Sequence, residues 1–475
     1  MRTLLFDGAG SVRKGFGDQA QYSFEAAADG GVEIDPEKLL QITASCLDTI
    51  HQQMNSAGLK PSAVAFSAFW HSFFGVDENT KPVTPFIHLF DTRSEPQAEA
   101  LAKRMDERAV HRRTGCRFHA SYWPAKLLWL AGHHVDGFAR TRRWVSFPEF
   151  VYLRLFGKPG LSTSMISATG IWNQRQNRYD EEMLAALPIR RDQLVPEDQM
   201  DQPSSGLQGE WASKWPLLRD VPWYPAVGDG ACNNVGSGCV APDTFALMVG
   251  TSGAMRAITG AEQIDIPDGL WCYRVDRGRY ILGGALSNGG DVYAWMKRNL
   301  ALGDESETEA ELARREPGRH GLTVLPFFAG ERSPWWRADL RAAITGMNLA
   351  TSALDILQAS LEAVALNFTR ILVEMQTSIG APARIIASGG ALVASPPWTQ
   401  MMADALHRPV LAGCEKEASS RGAALLALEQ LGVMRIEQAP VRTGAKFQPR
   451  EETAPAWAAL LASQNRVFNE LFEEA

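Results

Sequence analysis

Asp229 stands between two glycines in GDGACNNVGSG (Gly228 to Gly238), directly after the apolar run YPAVG. A carboxylate placed there could take the proton from a hydroxyl as that hydroxyl attacks a γ-phosphoryl group. Local sequence by itself favours an ordinary Asp-Gly turn. Three further glycine turns accompany it: VGTSGAM with Gly250, Thr251 and Ser252, GGALSNGGDVYAWM with Gly289 and Gly290, and ASGGALVASPPW with Gly389 and Gly390. Glycines let backbone approach a phosphate or an adenine closely, and the Thr251 and Ser252 hydroxyls with their N–H groups suit phosphate oxygens. Any one of these turns alone is most simply a turn at a strand end.

A second group lies in the first half of the chain. AFWHSFFGVD carries Trp70 and His71, and FDTRSE carries Asp91 and Arg93 after the apolar FIHLF. An aromatic platform beside several fixed hydrogen-bonding groups is what a polyol site needs. The opening MRTLLFDGAGSVRKGFG imitates a phosphate loop without being one. Gly10 and Gly15 are suitably spaced, but Phe16 stands where the lysine of that motif belongs. A strand, an Asp-Gly turn and a second strand describe the stretch better.

The elements that must hold these residues read as an α/β protein. Short β-like runs such as SAVAFSAF alternate with longer helical ones such as LLQITASCLDTIHQQMNSAG. A loop-rich aromatic stretch runs from about Gly115 to Asp220, and the strand and glycine-turn pattern restarts near Phe245. Leu354, Leu357, Leu361, Val364, Phe368, Ile371 and Met375 recur at helical spacing, with Ser352 and Asp355 as a capping box and Gly380 as the stop. This spacing predicts a core helix without chemistry of its own.

A length of 475 residues suits roughly two to three domains. A net charge of −7 argues against a nucleic-acid or anionic-membrane surface and leaves a small-molecule substrate as the simpler expectation. The six cysteines form no CxxC pair or His cluster and read as buried thiols of a reducing compartment. No run of about 18 apolar residues and no leader pattern occurs, so the expected location is cytoplasmic.

In order and spacing, GVEIDPEKLL, FSAFWHSFFGVDENTKPVTPFIHLFDTR, RTGCRFHASYWPAKLLWL, GDGACNNVGSG, VGTSGAM, FFAGERSPWWRADLRAAITGMNL and SGGALVASPPWTQMMADAL resemble the FGGY family of carbohydrate kinases over nearly the whole chain. The resemblance implies two ribonuclease-H-like, actin-like ATPase domains with a nucleotide and sugar cleft between them. It implies ATP and Mg²⁺, a sugar or sugar-acid substrate, no nucleic-acid or membrane partner, and a homodimer as family habit. The implied divisions are a sugar-binding domain over 1–242, a nucleotide-binding domain over 243–440 and a C-terminal tail over 441–475. Carried over by position, Asp229 matches the catalytic base and a Mg²⁺ contact. Gly250, Thr251, Ser252, Gly289, Gly290, Gly389 and Gly390 match the nucleotide side, and Trp70, His71, Asp91 and Arg93 fall in the sugar segments.

Two departures speak against a xylulose assignment. Gly230 stands where many members have an amide side chain, and Trp70 replaces a common methionine. The wording of SAFWHSFFGVD, SYWPAK, GDGACNNVGSG and FAGERSPWW looks closest to gluconate kinases, and Arg93, Lys126 or Arg332 could meet a carboxylate. The resemblance further implies that the chain starts late, MRTLLF corresponding to the residues just after the family's first phosphate loop, with sugar binding but weak phosphoryl transfer. A non-catalytic sugar-binding relative and an actin-like ATPase with a protein partner are the competing expectations.

Overall fold

The structure is a computed structural model that describes residues 1–473. In the C-terminal lobe a seven-stranded sheet runs in the order Trp271–Arg274, Tyr280–Leu286, Gly253–Thr259, Thr244–Val249, Arg384–Ser388, Val410–Gly413 and Thr443–Phe447. Thr244–Val249, Arg384–Ser388 and Val410–Gly413 run parallel, so their C-terminal ends lie along one edge and carry the glycine turns. That is where α/β sheets place ligands. The segment 441–475, expected as a tail, supplies the strand Thr443–Phe447 to this sheet and the helix Ala454–Phe472, whose Trp457 is buried.

The helix Ala353–Ile379 forms where the periodicity places it. Ser352 and Asp355 make the capping box, Gly380 ends the helix, and Leu357, Leu361, Val364, Phe368, Ile371 and Met375 are all buried. Leu354, in the first turn, is half-buried. The helix is long and apolar enough to cross a bilayer by composition, but here it fills the core of the lobe.

The N-terminal lobe is built from short pairings around aromatic cores: Glu25–Ala26, Val32–Ile34 and Phe86–Ile87 in one sheet, Phe74–Val76 with Arg143–Val145, and Ser67–Ala68 parallel to Val227–Gly228. The opening stretch is the expected hairpin, Arg2–Phe6 against Val12–Gln19. Its turn offers phosphate little. The N–H groups of Ala9 and Ser11 both donate to Asp7 Oδ1 at 2.9 Å, and that of Gly10 donates to the Asp7 carbonyl at 3.0 Å. The turn docks instead on the helix Ala418–Gln430, where Arg421 Nε donates to the Gly10 carbonyl at 3.0 Å.

The lobes meet at two crossed helices, Asp229–Gly236 and Ala418–Gln430. A Cβ at Gly236 would stand 1.8 Å from the Ala418 carbonyl oxygen, and one at Gly422 would stand 1.9 Å from that of Cys232. Only glycine at both positions allows such an approach, and it fixes the helix that begins with Asp229 against the C-terminal lobe.

Candidate active site

Asp229 opens its helix at the end of the strand Val227–Gly228. Its Oδ1 accepts from the Gly230 N–H at 2.8 Å, while the residue is exposed to solvent. The surrounding protein weakens its hydration and pushes its pKa above the usual carboxylate value, and the Arg256 guanidinium opposes that rise. Such a group is better matched to accepting a proton than a surface carboxylate is. Trp70 forms the wall beneath it. The indole is buried against Gly228 and Gly230, and its Nε1 donates to the Ser164 carbonyl at 3.1 Å.

His71 adopts φ 69° and places Nδ1 2.6 Å from the Ala168 carbonyl. Burial holds the imidazole neutral down to about 3, so Nδ1 carries the proton and donates, leaving Nε2 as an acceptor. His119, held neutral down to about 4 by burial, has the opposite arrangement: Nδ1 accepts from the Ser121 N–H at 3.1 Å, which leaves Nε2–H as a donor. Tyr122 and Tyr273 lie 5.2 Å and 5.5 Å from the His71 ring, with their hydroxyls 2.6 Å apart. One acceptor, one donor and two phenols grouped around His71 are the kinds of groups that a polyhydroxy ligand uses.

The three cations named from sequence are not equivalent. Arg93 is spent on Asp91 and Glu33, both at 2.5 Å, and lies over the Trp129 ring. Asp91 is equally occupied, since Oδ2 also accepts from Val32 N–H at 3.0 Å and Oδ1 from Arg93 N–H at 3.1 Å. Asp91 and Arg93 therefore brace this part of the N-terminal lobe instead of presenting free polar atoms. Lys126 is sealed from solvent, donates to the His88 carbonyl at 2.8 Å, and is pushed by burial down to about 7. Arg332 is only partly buried. Its Nη2 donates to the Leu286 carbonyl at 2.9 Å, and its charge is felt by His71, His119, Tyr122 and Tyr273. Buried Glu331 fixes the Arg332 loop by accepting from the backbone of Ser287 and from Asn288 Nδ2.

On the other side of the cleft the glycine turns converge. Gly250–Ser252 links two strands, and Gly290 N–H donates to the Gly250 carbonyl at 2.8 Å in an approach that leaves 2.3 Å for any Cβ. Asp291 N–H donates to the Thr251 carbonyl at 3.0 Å, and Asp291 Oδ1 accepts from Gly289 N–H at 2.7 Å. Gly389, at φ 96°, presses against the Val249 carbonyl, while the Cα of Gly390 faces open space. Thr251 is exposed, and the helix Gly290–Asn299 starts at this junction, so backbone N–H groups and a helix N-terminus share one corner. Sequence reading passed over His119, Tyr122, Tyr273 and Arg256. Tyr273 and Arg256 sit in buried strands whose pattern carries no local sign of a site.

A two-lobed α/β fold with glycine turns at the strand ends of the C-terminal lobe and a carboxylate opening a helix of the N-terminal lobe has the actin-like ATPase architecture that sugar kinases share. Residues 1–236 match the N-terminal domain, and residues 245–431 the C-terminal domain, of the FGGY family of carbohydrate kinases, and the chain belongs to that family. A gluconokinase of Bacillus licheniformis is 28% identical over 445 residues, 90% of this chain and 86% of that protein. A xylulose kinase of Staphylococcus xylosus is 24% identical over 432 residues, 90% of this chain and 88% of that protein. Among solved structures, a gluconate kinase from Lactobacillus acidophilus superposes with a TM-score of 0.90 at 26% identity, covering 99% of this chain and 95% of its own. A xylulose kinase from the same species gives 0.91 at 25%, covering 100% and 96%. The protein is thus a phosphotransferase that uses ATP to phosphorylate a hydroxyl of a small sugar or sugar acid.

Proposed function

We propose that the acceptor is a sugar acid, gluconate first, with xylulose or another pentulose next, and that Asp229 is the general base. The observation that carries the choice of an acid is Arg332. Of the three candidate cations it alone is neither ion-paired nor sealed, and its charge acts on His71, His119, Tyr122 and Tyr273. A guanidinium with unspent N–H groups in a partly desolvated pocket favours a carboxylate through charge-assisted hydrogen bonds. The gluconokinase relatives support the same reading.

In this mechanism the substrate chain lies along the histidine and tyrosine cluster with its carboxylate at Arg332 and a hydroxyl at Asp229. Asp229 takes the hydroxyl proton as the oxygen attacks phosphorus. The Thr251 and Ser252 N–H and hydroxyl groups, whose neighbours Gly250, Gly290 and Asp291 spend their own N–H groups on bracing the corner, hold the phosphates near the N-terminus of Gly290–Asn299, with Gly389 and Gly390 backing the nucleotide. The Asp229 carboxylate, a hard oxygen donor open to solvent, would hold Mg²⁺, which would neutralise developing charge. Closure of the lobes excludes water and so limits simple hydrolysis of ATP. The test is coupled ADP release over gluconate, xylulose, ribulose, glycerol and erythritol. Gluconate should give the highest kcat/KM, and preference for a neutral polyol would overturn the acid assignment.

A further inference from the structure

Arg256 lies on the strand Gly253–Thr259, immediately downstream of the Gly250–Ser252 turn, and is 8% exposed. Its Nη1 is buried without any hydrogen-bond partner among the described residues. Arg421 donates to the Gly10, Gly236 and Pro440 carbonyls, and Arg274, although its Nε is likewise unpartnered, donates through both Nη atoms to the Arg277 and Gln174 carbonyls, whereas the Arg256 side chain donates to no group among the described residues. Leaving a guanidinium desolvated and unpaired is costly, so its presence in a cleft calls for an anion supplied from outside the chain. A neutral side chain of similar length would serve packing at least as well.

The position of the guanidinium selects the anion. Its Nε lies 3.3 Å from where a Cβ of Gly230 would be, beside the first turn of the Asp229 helix, and its Cγ rests over Gly283. Asp229 and Arg332 act on it through space. It therefore stands beside the helix that Asp229 opens, on the strand that the Gly250–Ser252 turn leads into, whereas the substrate carboxylate is assigned to Arg332.

We propose that Arg256 receives the transferring phosphoryl group, its free N–H groups taking the non-bridging oxygens of the γ-phosphate as they pass to the acceptor and then holding the product's phosphate ester. This rests on the kinase reading with Asp229 as base. The bond between the β–γ bridging oxygen and the γ-phosphorus breaks, and its electron pair leaves with ADP. The substrate oxygen forms the new bond to phosphorus, its proton goes to Asp229, and Arg256 stays a cation throughout. A guanidinium fixed where negative charge is redistributed stabilises the transition state more than the ground state.

The experiment compares Arg256→Met and Arg256→Lys with the parent. Arg256→Met should lower kcat by about 100- to 1000-fold, the range for removing a preorganised transition-state donor, and move KM for the sugar by no more than about three-fold. Guanidinium chloride should restore part of that loss, Arg256→Lys should keep about a tenth of parental turnover, and the melting temperature of Arg256→Met should hold or rise. By calorimetry, inorganic phosphate should bind the parent and bind Arg256→Met at least about tenfold more weakly. Near-parental kcat in Arg256→Met overturns the proposal. So does a lowered melting temperature without guanidinium rescue, which marks a packing role, and so does a loss confined to KM for acid substrates, which moves the carboxylate to Arg256. If the parent turns over no sugar, the functional reading fails, and phosphate binding by the two proteins still decides Arg256.

Discussion

The indole of Trp70 occupies the space a side chain at position 230 would need: a Cβ on Gly230 would stand 2.6 Å from Trp70 Cζ3. The Trp70 ring and the bare Gly230 backbone are therefore one packing solution, a large ring matched to a missing side chain. Gly230→Asn should destabilise the protein by about 2 kcal/mol through overpacking, and adding Trp70→Met should recover most of it. Urea unfolding of the two single variants and the double variant checks this. Additive losses would show that the positions are not coupled.

Glu149 gives a pH prediction. Burial pushes its carboxyl from 4.5 up to about 7, although it accepts from Ser146 N–H at 2.8 Å and Ser146 Oγ at 2.6 Å. Its pKa is higher folded than unfolded, so its contribution to stability is fully present below about pH 4.5 and is lost as pH rises through about 7. Glu149→Gln should remove that slope and gain on the order of 2 kcal/mol relative to the parent at pH 8. Denaturant midpoints at pH 5 and pH 8 test it, and parallel slopes for the two proteins would refute it.

Arg332 should discriminate by charge. Arg332→Met is expected to raise KM for gluconate by about tenfold or more and that for a neutral pentulose by less than about three-fold, since one charge-assisted contact is lost only by the acid. Equal increases for both substrates, read from initial-rate kinetics, would assign Arg332 to the general shape of the pocket.

Much of this was legible in the chain because the signals are local. The Ala353–Ile379 helix follows from periodicity and a capping box, and the glycine turns follow strands that are themselves apolar runs. Asp91 and Arg93 were legible as polar groups but not as partners of each other and of Glu33, which reaches them from far away in sequence. Tyr273 and Arg256 lie in strands buried on both faces, where alternation vanishes and only the assembled lobes bring them to Tyr122 and Asp229. The strand Thr443–Phe447 is largely exposed and polar, so nothing but sheet pairing marks it as part of the lobe.

The central claim is that Asp229 takes the proton from a sugar-acid hydroxyl as it is phosphorylated. Coupled ADP release with gluconate, measured on the parent and on Asp229→Asn under saturating ATP, tests it most directly. The account predicts gluconate-dependent release by the parent and a fall in kcat of about 100- to 10,000-fold in Asp229→Asn, with sugar affinity changed by only a few-fold. Turnover in Asp229→Asn close to that of the parent, or ADP release by the parent that does not depend on the sugar, would contradict it.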